Sequence, residues 1–154
     1  MFSAKHSLHF FTVTAVTVYN YYIMRNSKSL GNRGEQEACK FLEREGYRII
    51  RQNYRKPWGE IDIVAREQDK TLVFIEVKTL RVRSESGLLP EDNLTKAKMG
   101  KLRRACDAFV VLGAELVTER AGWRIDLIAV SVPVDHDGNE KPKEVWAIKH
   151  YKNI

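Results

Sequence analysis

Gly59–Lys78 reads GEIDIVAREQDKTLVFIEVK. Two apolar runs flank a polar middle, the pattern of a β-hairpin. Asp62, Glu76 and Lys78 interrupt those runs, where a charge is expensive. Pairing centred on Asp69 sets Ile61 opposite Val77, Ile63 opposite Ile75 and Ala65 opposite Val73. That face is wholly apolar and can pack on a helix. The other face carries Val64, Phe74 and Leu72 near the turn. Asp62 with Glu76, and Glu60 with Lys78, follow at its far end. A slip of one residue would mix the two sets, whereas a slip of two would keep them apart.

Two carboxylates at cross-strand distance repel, and an isolated ionised group in a core costs several kcal/mol. The pair therefore calls for a proton, cationic partners or a divalent metal. Mg²⁺ (or Mn²⁺) suits the third option, because it takes carboxylate oxygens and keeps waters for a phosphate ligand. Lys78 leaves the strand on the same face as Glu76. Beside a metal, its ammonium can hold or deprotonate an attacking water; without one, it can pair with Glu60. Glu35 adds a third carboxylate, three, four and seven residues before Ala38, Cys39 and Leu42 on a helical apolar stripe. Taken alone, Glu35 reads equally well as a rim carboxylate with its head in water.

Outward from the hairpin, Asn32–Gly46 has helical periodicity and Tyr47–Lys56 reads as a strand with four basic residues and no acid. Pro57-Trp58-Gly59 breaks it. Residues Arg81–Asn93 read as a loop. A second helix is predicted over Thr95–Leu112, with Leu102, Ala105, Cys106, Phe109 and Val110 as its stripe and Gly113 as its stop. Trp123–Val132 is a strand apolar on both faces, hence central. Glu144–Tyr151 is an edge strand. The order α-β-β-β-α-β-β predicts an α/β fold, a mixed central sheet flanked by helices.

The 154 residues suit one domain, and 44% hydrophobic with 30% charged residues suits a soluble globular chain, here expected in the cytoplasm. The net charge of +6 is compatible with a polyanion partner. Cys39 and Cys106 both fall on apolar helix faces and read as buried thiols. Neither they nor His6, His9, His136 and His150 show zinc spacing. Residues 6–24 hold 19 positions without Lys, Arg, Asp or Glu, diluted by histidines, threonines and Asn20. Residues 1–24 are read as an extension outside a domain of 25–154. A membrane anchor or signal is the lesser alternative.

Lys96, Lys98, Lys101, Arg103 and Arg104 occupy one acid-free stretch of the second helix. They suit phosphate binding, or simply a solvated helix face. Arg48, Arg51, Arg55 and Lys56, with Tyr54 and Trp58, form a second basic and aromatic patch. Arg81 and Arg83, just past Lys78, would lie near a bound phosphate. Asp126 interrupts another apolar strand, where pairing with Arg124 or a neighbouring strand is the favoured role.

Glu, then Asp, then Glu-x-Lys on a helix followed by a hairpin resembles the PD-(D/E)XK, or restriction-endonuclease-like, nuclease superfamily. The match is closer to its bacterial YraN branch, which is similar to Holliday-junction resolvases. The matching segments are GNRGEQEACKFLEREGYRIIRQNYR, GEIDIVA, LVFIEVKT, LTKAKMGKLRRA and RIDLIAV, covering most of Gly31–Val132. By this resemblance Asp62, Glu76 and the backbone carbonyl of Val77 would hold Mg²⁺ (or Mn²⁺). Lys78 would be the catalytic lysine, and Glu35 would support the metal through water. The superfamily's proline is absent, since Ile61 precedes Asp62. The resemblance implies a DNA endonuclease, with branched DNA a candidate substrate, no small-molecule cofactor and room for a homodimer. A non-catalytic nucleic-acid-binding protein of the same fold, or a membrane-anchored interaction protein, are the alternatives.

Overall fold

A computed structural model describes residues 15–83, 95–116 and 121–154, with side chains from residue 27 onward. Helix α1 (Ala15–Arg44) is longer than predicted. No proline or glycine interrupts residues 15–30, so nothing stops the helix before Asn32. It runs through the boundary drawn at residue 24; residues 1–14 of the predicted extension lie outside the described residues. Leu30, Ala38, Cys39 and Leu42 form its buried stripe. Gly46 (φ 85°) ends it, and the Tyr47 N–H reaches back to the Leu42 carbonyl at 2.9 Å.

Strands β1 (Arg48–Lys56), β2 (Gly59–Arg66) and β3 (Leu72–Val82) form an antiparallel meander. Helix α2 (Lys96–Leu112) crosses over to β4 (Trp123–Pro133), which runs parallel to β3. Antiparallel β5 (Ala147–Tyr151) closes the far edge, after a 3-10 turn that takes up the start of its predicted span. The strand order is β1-β2-β3-β4-β5. This is the predicted α-β-β-β-α-β-β order. Strand β3 runs on to Val82, past the start of the predicted loop, whose residues 84–93 lie outside the described residues. Thr95 caps α2: its side chain accepts a hydrogen bond from the Lys98 N–H.

Helix α1 covers one face of the sheet and α2 the other. The first core joins Leu42 and Tyr47 to Ile63, Ala65, Val73, Ile75, Val77 and Ile128. The second joins Leu102, Ala105, Cys106 and Phe109 to Val64, Leu72, Phe74 and Ile125. Both cysteines are buried and free. The hairpin pairs Ile63 with Ile75, Val64 with Phe74 and Ala65 with Val73, so its centre is Asp69 as the sequence predicts. One expectation fails. Ile61 does not share a face with Ile63; it packs with Tyr54 in the α2 core. Strict alternation would keep Ile61 and Ile63 together. Register between β1 and β2 is unchanged across this point (Gln52 with Ile63, Tyr54 with Ile61), so both strands turn over together at Asn53 and Asp62. Asn53 sits there at φ 52°, the left-handed region that asparagine tolerates.

Candidate functional site

The switch of faces changes what surrounds Asp62. The ladder between β2 and β3 runs from Arg66–Leu72 to Ile63–Ile75 and ends there. Past its end, Asp62 Oδ2 accepts the Val77 N–H at 2.7 Å. A side-chain carboxylate thus stands where a backbone carbonyl would have continued the sheet. Burial, then repulsion from Glu76, pushes the Asp62 carboxyl up to about 7, with the Val77 N–H opposing the shift. Glu35 adds to the repulsion.

Glu76 and Lys78 follow Leu72 and Phe74 on the α2 face of β3. Lys78 Nζ donates to Glu76 Oε1 rather than meeting Glu60. Glu60 instead pairs loosely with Arg55, at 3.6 Å. Both Glu76 and Lys78 open into a cleft of about 780 Å³. Its other wall is basic: Lys98, Lys101 and Arg104 from α2, with Arg55, Lys56 and Trp58 from the end of β1 and the turn that follows. Part of each basic patch of the sequence therefore meets in one surface. Gly59 makes this approach close, since a Cβ there would lie 2.8 Å from the Lys101 carbonyl oxygen.

Glu35 comes to the same end of the sheet from α1. It lines a separate, smaller pocket with Gln52, Asn53 and Arg55. Burial raises its carboxyl above the ordinary carboxylate value; an Asn53 hydrogen bond and Arg55 oppose this, while Glu60 and Glu76 add to it. Asn53 therefore both permits the strand's turnover and engages the acid. It escapes the sequence reading, although an asparagine amid β-formers is a usable signal of a backbone irregularity.

Several predicted residues lie elsewhere. Lys96 and Arg103 are exposed on α2 but do not line the cleft. Arg81 is engaged by Glu140 at 2.7 Å, which also holds Arg33. Arg48 and Arg51 do not line the cleft, and Tyr54 is a core residue, edge-on to Phe109. Asp126 is fully buried and accepts from Arg124 Nε and the Asn153 N–H, both at 2.9 Å, while His150 Nε2 lies at the same distance. The Arg124 pairing and a partner from the neighbouring strand β5 both match expectation, although His150 itself has no signature in sequence spacing.

Among the described residues, no group of three His, Cys, Asp or Glu side chains converges as a ready-made metal site. The donors a hard cation could find are two carboxylates, Asp62 and Glu76, and the Val77 carbonyl. In an extended strand the C=O of a residue leaves on the same side as its N–H, which here points to Asp62. All three donors are oxygen, and such a set leaves coordination positions for water, as Mg²⁺ and Mn²⁺ accept. Among the described residues no helix is long and apolar enough to cross a membrane.

Residues 34–130 match the model of the uncharacterised protein family UPF0102. A UPF0102 protein of Desulforamulus reducens is 36% identical over 126 residues, covering 82% of this chain and 94% of its own. One from Roseiflexus castenholzii is 45% identical over 103 residues (67% and 79%), and one from Chlorobium phaeobacteroides is 42% identical over 103 residues (67% and 76%). The matched span holds Glu35, the hairpin with Asp62, Glu76 and Lys78, helix α2 and Asp126. The chain belongs to the UPF0102, or YraN, family.

Proposed function

We propose that this protein is a Mg²⁺-dependent (or Mn²⁺-dependent) DNA endonuclease that hydrolyses phosphodiester bonds, with branched DNA a candidate substrate. One observation carries the reading: a buried acid at the broken end of a ladder, Asp62, adjoins a Glu76–Lys78 pair that opens into a basic cleft.

Asp62, Glu76 and the Val77 carbonyl would hold the metal, whose chemistry when bound is polarisation of the scissile phosphate and acidification of a coordinated water. The mutual repulsion of Asp62 and Glu76 supports this role, because a divalent cation relieves it. Lys78, paired with Glu76, would orient the attacking water and offset charge developing on phosphorus. Glu35, with its raised carboxyl, would hold a water at the rim of the site. Lys98, Lys101 and Arg104 would neutralise flanking phosphates.

The test is incubation of purified protein with plasmid, single-stranded and four-way-junction DNA in Mg²⁺ or Mn²⁺. Cleavage of at least one substrate is expected, and its loss in Asp62→Ala and Lys78→Ala. Absence of cleavage on every substrate, or cleavage that persists in both variants, overturns the proposal. The basic lining of the cleft, which suits phosphate contact whether or not cleavage follows, supports a second reading, nucleic-acid binding without cleavage. In that case salt-dependent affinity would survive Asp62→Ala unchanged.

A further inference from the structure

The basic cleft carries a feature that phosphate binding does not explain. Trp58 stands in the turn between β1 and β2, 48% exposed. Indole rings are mostly buried in folded chains. Its neighbour Tyr54 is buried at 6% and packs on Phe109, so the strand's other aromatic belongs to the core. Among the described residues, no aromatic ring contacts Trp58.

The turn is also held in place. A Cβ on Gly59 would meet the Lys101 carbonyl oxygen at 2.8 Å and the Ala105 Cβ at 3.0 Å, so the chain here rests directly on α2. Pro57, just before Trp58, fixes a further backbone angle. Trp58 is thus a half-exposed ring lining the same cleft as Glu76, Lys78, Lys101 and Arg104. Aromatic faces among cationic side chains suit a nucleic-acid strand whose bases can leave the stack. Paired bases inside a duplex keep their faces covered by their neighbours and offer Trp58 nothing to stack on.

We infer that Trp58 is a base-stacking platform that gives this cleft a preference for DNA with an unpaired nucleotide next to the phosphate held by Lys101 and Arg104. The inference rests on the nuclease reading of the cleft and narrows its substrate to single-stranded, forked or gapped DNA. Trp58 supplies stacking, which is indifferent to base identity, and the cations supply charge; the site selects strand structure rather than sequence.

The experiment compares fluorescence anisotropy of a labelled oligothymidylate with that of a labelled blunt duplex, in Ca²⁺ to limit cleavage. The full chain and its Trp58→Ala, Trp58→Phe and Lys101→Ala variants are titrated across a salt series. Stacking on one aromatic ring corresponds to roughly tenfold or more in affinity. Trp58→Ala is expected to weaken oligothymidylate binding by about that factor, leave duplex binding unchanged and keep the salt slope. Trp58→Phe should recover most of the loss. Lys101→Ala should weaken both probes and flatten the single-strand salt slope by about 0.7 per phosphate contact removed. If Trp58→Ala weakens both probes alike, or neither, the stacking role is overturned while the nuclease reading stands. If the wild type binds neither probe, the stacking role is overturned, and the nuclease reading is decided separately by the cleavage assay on plasmid and four-way-junction DNA.

Discussion

Burying one carboxylate beside another lowers stability unless something neutralises the pair, and Asp62 is in that position. Its carboxyl is raised by burial and by Glu76, while a single backbone N–H works the other way. Asp62→Asn keeps an oxygen to accept the Val77 N–H and removes the charge. The metal-free variant in EDTA is therefore expected to be more stable than wild type by about 1–2 kcal/mol, a rise of several degrees in melting temperature. On the proposed nuclease reading, the same variant should lose all cleavage. A melting temperature equal to or below that of wild type would show that Asp62 is already neutralised by its surroundings. Asn53 makes a complementary case. At φ 52° it occupies a conformation that a β-branched residue rarely enters. Asn53→Val should lower stability by about 1–2 kcal/mol, whereas Asn53→Gly should be nearly neutral in denaturant titrations.

At the scale of elements, the site depends on how closely α1 and α2 approach the sheet. Gly34 is the contact point of α1 with β3: a Cβ there would fall 1.8 Å from Thr79 Oγ1. The two elements would have to separate, and Gly34→Ala is expected to cost about 2–3 kcal/mol. Thr79→Ala in the same chain should recover only part of this, because the Thr79 Cβ also lies within 2.9 Å of the added carbon. Urea unfolding of the two single variants and the double variant gives the coupling energy; additive losses would mean that Gly34 does not act through Thr79. The hairpin's parity is legible in the sequence because a slip of one residue would put Glu76 and Lys78 on the face of Ile63 and Ala65. The turnover at Ile61 is not, since it arises where Asn53 and Asp62 face each other across two strands, a pairing that no single run of residues encodes. Glu35 is legible as an acid on an apolar stripe; its approach to Asn53 and Arg55 follows only once α1 is laid over β1.

Across the whole molecule, a polar network on the far side from the cleft ties the ends of the sheet together. Tyr47 and Lys152 both donate to Glu67 Oε1, at 2.9 and 2.8 Å. Arg124 joins Glu67 to Asp126, and Asp126 takes His150 and the Asn153 N–H as further partners. One network thus connects the residue before β1, the chain just past β2, strands β4 and β5, and the C-terminal tail. The sequence shows the acid and the arginine two residues apart but not the histidine, the tyrosine or Glu67, which meet only in the assembled sheet. Burial alone would push the Glu67 carboxyl up, but the hydrogen bonds from Arg124, Lys152 and Tyr47 outweigh it and hold it at about 2. Burial likewise opposes the lowering of Asp126, and its bonds to His150, Arg124 and the Asn153 N–H prevail. Both carboxyls have a folded value below the unfolded one. Their contribution is therefore complete above the unfolded range near 4; that of Glu67 is lost as pH falls from about 4 towards 2, and that of Asp126 as pH falls through its own lowered value. Glu67→Gln should cost about 1–2 kcal/mol at pH 7. Its unfolding midpoint should converge on that of wild type as the pH approaches 2. Urea titrations at neutral and acid pH check this; an equal deficit at both would mean that the glutamate acts through shape rather than charge.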